Sequence, residues 1–305
     1  MRVQAERHAP STKKTYAPYV KKFLIWNASL GRSEAQIHSD VTGRFFLQFL
    51  AAMASDCYAT STINVASSAI LDQFRIPSWK TAPDYKDTKR GIARITASRP
   101  VQKHPFRSRW LRRLVRRTRH CNDDPTVITH ITLLCVGFYA CLRRSEITAL
   151  NVGDIKISSS RVRGNVVVFA VIKIRRSKTD QTGKGCHQYL PATGRDCCPV
   201  FWLQRLLAIR PAAKQTHLFA SDDGSRFSAA SVAYVVKNTV MAVAPRHAHA
   251  NYSGHSLRRG GLTALSLAGA PNILVQKIAR HKDPRSTEKY IRPSLASLHD
   301  VYSSL

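Results

Sequence analysis

Apolar positions recur at helical spacing from the start of the chain. After Ser11 or Thr12, either of which can cap a helix, Tyr16, Val20 and Phe23 follow at i, i+4 and i+7 and make one stripe. Lys13, Lys14, Lys21 and Lys22 lie largely off it. The same periodicity predicts helices over Asp40–Ala54, through Val41, Phe45, Phe46, Phe49 and Leu50, and over Ser61–Phe74, through Ile63, Val65, Ile70, Leu71 and Phe74. Residues 1–98 therefore read as a small, basic, all-helical domain. SRPVQKHPF, at Ser98–Phe106, carries two prolines and no periodicity, so residues 99–106 read as a linker.

Residues 107–305 read as a second domain. Trp110, Leu111 and Leu114 give an apolar side to a segment that also holds Arg107, Arg109, Arg112, Arg113, Arg116, Arg117 and Arg119. Asp124-Pro125 supplies a cap and a first-turn proline for a helix burying Ile128, Ile131, Leu134, Cys135 and Phe138. Val166–Ile174 is β-branched and apolar, Gln188–Leu190 is a candidate returning strand, and the polar, glycine-bearing stretch between them suits a hairpin loop. Helical patterns resume at Val200–Ile209, Ser228–Val243, Ser256–Leu267, Asn272–Ala279 and Ala296–Tyr302. The expected fold is mainly α with a small antiparallel β-sheet (α+β), in two domains.

Charge narrows the function. Lys and Arg number 48 against 18 Asp and Glu, a formal charge of +30, and such self-repulsion calls for a polyanionic partner, DNA or RNA first. No stretch reaches the roughly 20 apolar residues that span a bilayer, and the N-terminus lacks the apolar core of a secretory signal, so an intracellular protein without a membrane partner is expected. The seven cysteines are scattered and odd in number, which suits reduced thiols. Cys186, His187, Cys197 and Cys198 cluster without a C-x-x-C spacing, so no metal site is expected.

Three segments carry candidate chemistry. In CLRRSEITALNVGDI, the core-type residues Leu142, Ile147 and Leu150 bracket Arg143 and Glu146, and a guanidinium so placed needs an anion or a carboxylate partner. A plain surface ion pair between the two remains open. In GHSLRRGG, His255 and Arg258 are three apart on one helix face, near a helix N-terminus that favours phosphate. Arg259 points elsewhere and suits a backbone-phosphate contact. Asn272–Ala279 delivers Arg280 and His281 to its end, and Tyr290 follows nine residues after His281 across KDPRSTEK, which opens into a helix at Pro284.

The order and spacing of these parts resemble the tyrosine recombinase (phage integrase) family, whose pattern is an Arg in L-R-x-S-E-[IL]-x-x-L, a hairpin Lys, H-x-x-R, a His or Trp, and a Tyr nine residues on. The matching residues here are Arg143 with Glu146, Lys178 in SKTDQ, His255 and Arg258, His281, and Tyr290. The resemblance covers about Arg107 to Pro293, with a weaker likeness of the N-terminal half to the family's helical core-binding domain. Cys141 stands where the family often has glycine, Ala279-Arg280 replaces a common Leu-Gly, and Lys184 competes with Lys178 for the hairpin role.

The resemblance implies an enzyme that cleaves and rejoins double-stranded DNA through a 3′-phosphotyrosyl link, with no cofactor. Arg143 and Arg258 would hold the phosphate, Lys178 would protonate the leaving oxygen, and His255 would exchange a proton with Tyr290. His281 would hydrogen-bond the phosphate and Glu146 would orient the array. It also implies a homotetramer on two duplexes and a mobile genetic element as source. Lys13, Lys14, Arg112, Arg116 and Arg259 are candidate DNA contacts. A type IB topoisomerase, a catalytically silent DNA-binding relative and a plain RNA-binding protein are the competing readings.

Overall fold

The computed structural model describes residues 9–96, 103–121, 123–177, 180, 183–210, 213–246 and 251–290. Two compact units divide the chain, Met1–Pro100 and Val101–Leu305. The boundary falls inside the expected linker. Residues 103–106 are in fact docked on the second unit: His104 N–H donates to Asn251 O (3.0 Å), Phe106 N–H donates to Ser256 O (2.9 Å), and the Phe106 ring is buried in the core.

The first unit is helical: α1 (Pro10–Ser29), α2 (Glu34–Ser39), α3 (Arg44–Ser55), α4 (Thr60–Phe74), α5 (Pro77–Thr81) and α6 (Pro83–Ile95). Its core is aromatic, built from Phe23, Phe46, Phe49, Phe74 and Trp79, with the Phe46 and Trp79 rings stacked at 5.3 Å. The helix expected over Asp40–Ala54 begins later, at Arg44. Asp40 works ahead of it, its carboxylate accepting from the Phe45 N–H (2.8 Å) and the Thr42 hydroxyl (2.6 Å). Gly43 sits at φ 72 against Trp79, a turn that glycine takes without strain, and this leaves Val41 exposed. Helix α1 starts at Pro10 with Ala9 before it, so neither Ser11 nor Thr12 is its cap.

The second unit wraps around α8 (Pro125–Tyr139), which follows α7 (Ser108–Arg117). The Asp124 side chain caps α8 by accepting from Thr126 N–H (2.7 Å) and Val127 N–H (3.3 Å). Helix α8 is buried on nearly every side, as a helix without a polar face must be. A short α9 (Arg144–Thr148) leads to an antiparallel sheet of β1 (Ile155–Val162), β2 (Asn165–Ile174) and β3 (Cys186–Pro191), with Ile155 opposite Ile172 and Phe169 opposite Pro191. Ala170, Ile172, Ile174 and Leu190 face the core. Then come α10 (Pro199–Ile209), α11 (Ala229–Val243), α12 (His255–Leu267), α13 (Asn272–Ala279) and α14 (Arg285–Glu288). The fold is mainly helical with one small antiparallel sheet. Helix α12 lies so close to its neighbours that a Cβ on Gly260 would meet Phe106 O at 2.0 Å, and one on Gly261 would meet Phe138 O at 2.1 Å. The helix expected over Ala296–Tyr302 lies outside the described residues.

Candidate active site

The chain leaves α8 through Cys141, at φ 49, and turns into α9 at Arg143. Glu146, at the third position of α9, reaches back: its Oε2 accepts from Arg143 N–H (2.8 Å) and its Oε1 from Arg143 Nη1 (2.8 Å). Its carboxylate is 1% exposed and also meets Arg280 Nη2 at 2.7 Å. The pair is therefore not the surface contact that spacing alone allows, because a buried carboxylate without cations would carry a large desolvation cost.

Arg258 is 1% exposed on α12, donating from Nη1 to Cys141 O (2.7 Å) and from Nη2 to Ala279 O. Burial, then Arg143 and Arg280, lower its pKa to about 10, so it stays a cation at neutral pH. His255 opens α12 one turn earlier and its ring still meets solvent. Partial desolvation, then the guanidiniums of Arg258, Arg259, Arg143 and Arg144, hold it below the ordinary imidazole range. His281 is pushed to about 4 by desolvation, then by Arg258, Arg143, Arg280 and His255. Both imidazoles are neutral at pH 7.

Tyr290 lies at the end of this array. Its ring stacks on His281 with centroids 5.8 Å apart, and it packs beside Cys141, Leu262, Val275 and Ala279. The buried Thr287 hydroxyl lies 2.9 Å from His281 Nδ1 and fixes the ring. Gln188 on β3 donates to Ile278 O (2.8 Å), tying the sheet to α13. Arg143, Glu146, Arg258, His255, His281 and Tyr290 are thus linked by contact or close electrostatic coupling. Lys178 lies outside the described residues. Lys184 is exposed in the hairpin, where Asp180 accepts from its backbone N–H (3.2 Å) and from that of Gly185 (2.7 Å).

Sequence placed Arg280 at the end of Asn272–Ala279 without giving it a role, and did not mark Thr287. The Arg280 backbone is left-handed, at φ 57, and nothing local marks its partner, which lies 134 positions away. Beside the array, a groove of about 520 Å³ is lined by Lys173, Arg175, Arg176, His217 and Arg226.

The other basic candidates sit elsewhere. Arg116 is exposed and Arg112 half-buried on α7, in a groove of about 680 Å³ with Arg109 and Pro245. Arg113 instead donates to Val243 O (2.8 Å), and Arg117 to Ala242 O, at the end of α11, where a helix's last carbonyls attract cations. Lys13 and Lys14 are exposed on α1 and Arg259 is half-buried on α12. Among the described residues, no group of three or more His, Cys, Asp or Glu is placed to hold a metal ion, and no helix is long and apolar enough to cross a membrane.

Three similarities bear on this arrangement. An integrase/recombinase xerD homolog of Selenomonas ruminantium is 28% identical over 166 residues, which is 52% of this chain and 46% of that protein. The chain thus spans about half the length of that relative. The fold is similar to XerH site-specific recombinase bound to palindromic difH substrate in a post-cleavage complex, with TM-score 0.65 and 17% identity over 95% of this chain and 78% of that one. It is also similar to a lambda integrase dimer bound to a COC′ core site, with TM-score 0.61 and 14% identity over 95% and 92%. The sequence profile of the phage integrase family matches residues 111–296, more than half of the chain and every described residue of the array, and the chain belongs to that family.

Proposed function

We propose that this protein is a site-specific DNA recombinase that cleaves and rejoins double-stranded DNA through Tyr290, without metal or ATP. One observation carries the reading: a phenol stacked on the His281 imidazole, in an array where the buried Arg258 lies close to Arg143 and Arg280, which share the buried carboxylate of Glu146. Membership of the phage integrase family, and a fold similar to recombinases captured on DNA, support it.

The chemistry follows from the residues. Arg143 and Arg258 hold the two non-bridging oxygens of the scissile phosphate and stabilise the charge that builds on them as phosphorus becomes five-coordinate. Neutral His255 accepts the phenolic proton, the Tyr290 oxygen bonds to phosphorus, and the bond from phosphorus to the 5′-oxygen breaks. Lys178 gives the leaving 5′-oxygen its proton. In the tautomer in which the Thr287 hydroxyl donates to Nδ1, 2.9 Å away, His281 carries its proton on Nε2 and offers it to the phosphate. Attack on the 3′-phosphotyrosine by the 5′-hydroxyl of another strand runs the sequence backwards and completes exchange. Because the bond energy is stored in the phosphotyrosine, no nucleotide is consumed.

Full exchange between two duplexes cuts four strands, each by its own tyrosine, so the working form on DNA is a tetramer acting inside the cell on a mobile element's ends. The basic surfaces of α1, α7 and Arg259 contact the DNA backbone. Incubation with a pool of nicked duplexes of randomised sequence tests the reading: a gel-shifted species that survives denaturant is expected, and sequencing its DNA gives the target. Relaxation of plasmid without any preferred sequence would replace a recombinase with a topoisomerase.

A further inference from the structure

We propose that Arg280 is a positioning residue that shares the Glu146 carboxylate with Arg143 and so keeps the Arg143 guanidinium free to meet the scissile phosphate. The inference rests on the recombinase reading above and assigns a task to a residue which that reading leaves idle.

The geometry is specific. Arg280 adopts a left-handed backbone, φ 57, that side chains rarely take and glycine takes freely. Its side chain is only 10% exposed, and its Nη atoms reach Ile278 O (2.9 Å), Cys141 O (3.3 Å), Ala140 O (3.4 Å) and Glu146 Oε2 (2.7 Å). One guanidinium therefore joins the end of α8, the body of α9 and the end of α13. Arg258 shares one of these acceptors, Cys141 O, and also donates to Ala279 O, the carbonyl just before Arg280, so the two arginines fix each other's surroundings.

The consequence for Glu146 is chemical. A carboxylate facing a guanidinium alone takes two parallel hydrogen bonds from it, which draws the donors away from any second anion. Here only Oε1 takes Arg143 Nη1, while Oε2 is occupied by Arg280 Nη2 and the Arg143 backbone N–H. One carboxylate is thus divided between two cations. The remaining Arg143 donors, and a net positive charge, are left for the phosphate. Without Arg280 the carboxylate would turn its second oxygen to the Arg143 side chain and compete with the substrate.

The test uses the full chain, a suicide duplex obtained from trapped DNA, and three substitutions, singly and combined. Arg280→Gly removes the side chain and keeps the left-handed turn. It is expected to bind DNA within about threefold of wild type and to form the covalent adduct about 100-fold more slowly in a single turnover, the scale of a mispositioned catalytic group. The titration of His281, followed by NMR in the free protein, should move to higher pH, because one of the cations that depress it is gone. Arg280→Lys, which returns one cation but not the two-armed fork, should recover about tenfold of that loss.

In a Glu146→Gln background Arg280→Gly should cost less than about threefold, since the carboxylate it restrains is absent. An equal loss in both backgrounds overturns the proposal, and so does a wild-type rate in Arg280→Gly. Should glycine unfold the chain by circular dichroism, the same coupling is read from Arg280→Lys: a rate unchanged from wild type, or a loss that ignores Glu146, overturns the proposal equally. Failure of the wild-type protein to form any adduct would instead count against the recombinase reading.

Discussion

Gly261→Ala isolates the part of this account that depends on backbone proximity. An added Cβ would lie 2.1 Å from Phe138 O and 2.7 Å from Cys141 Sγ, where an ordinary carbon contact is about 3.5 Å. The carbonyl belongs to α8 and cannot rotate away, so α12 must retreat by on the order of 1 Å to restore contact distance. Overpacking of this kind costs about 1–3 kcal/mol, against which alanine returns up to about 1 kcal/mol of helix propensity. The net loss, about 0–2 kcal/mol if alanine returns the full amount, leaves most domains folded. Helix α12 carries His255 and Arg258, however, and a 1 Å misplacement of such groups is worth about 100-fold in rate. Urea denaturation should therefore show a modest fall in midpoint, while adduct formation in a single turnover falls about 100-fold with DNA affinity nearly unchanged. Gly91→Ala is the matched control: it lies within α6 with nothing inside 4 Å of the new Cβ, and should stabilise by up to about 1 kcal/mol with full activity. Wild-type cleavage by Gly261→Ala would refute the claim that this close approach sets the position of the arginine and the imidazole.

Three further outcomes are expected. Arg258→Ala should slow cleavage by about 100-fold, and Arg258→Lys should not restore it, because one ammonium cannot serve Cys141 O, Ala279 O and a phosphate together; single-turnover rates decide. His281, held near 4, should titrate about there in the free protein by NMR and higher when DNA brings a phosphate beside it. Since the unfolded chain binds this proton at about 6.5 and the folded chain does not, stability contributed by neutral His281 is present above 6.5 and is lost as pH falls towards 4, so a steeper acid loss of melting temperature in wild type than in His281→Gln is the matching observation. Arg112→Ala with Arg116→Ala should lower DNA affinity alike for all sequences and flatten its salt dependence by about one unit of slope per lost phosphate contact; an unchanged slope would remove α7 from the DNA interface.

Periodicity found the helices with an apolar stripe and missed those without one. Asn272–Ala279 matches to the residue, and Ser228–Val243 differs only in that Ser228 is the cap rather than the first turn. Helices α2, α5 and α6 went unread because proline, serine and charge dominate them, yet α5 supplies Trp79, the largest ring of the first core. Strand β1 was hidden by its run of three serines: it is an edge strand whose apolar alternation stops after Ile155 and Ile157, and the rest turns mostly to solvent. In the site, motif spacing identified which residues belong together, but not how they are held. That Glu146 is buried and divided between two arginines depends on a contact across 134 positions. Cys141, where glycine is common, keeps the turn at positive φ and buries its thiol against Gly261 instead.

In the proposed reaction the phenol of residue 290 becomes bonded to DNA. Digesting the denaturant-stable adduct with trypsin and nuclease, then reading the DNA-bearing peptide by tandem mass spectrometry, tests it directly. A nucleotide 3′-phosphate on Tyr290 is expected, with no such peptide from Tyr290→Phe. Attachment through Tyr302 or any other side chain, or an adduct undiminished in Tyr290→Phe, would contradict it.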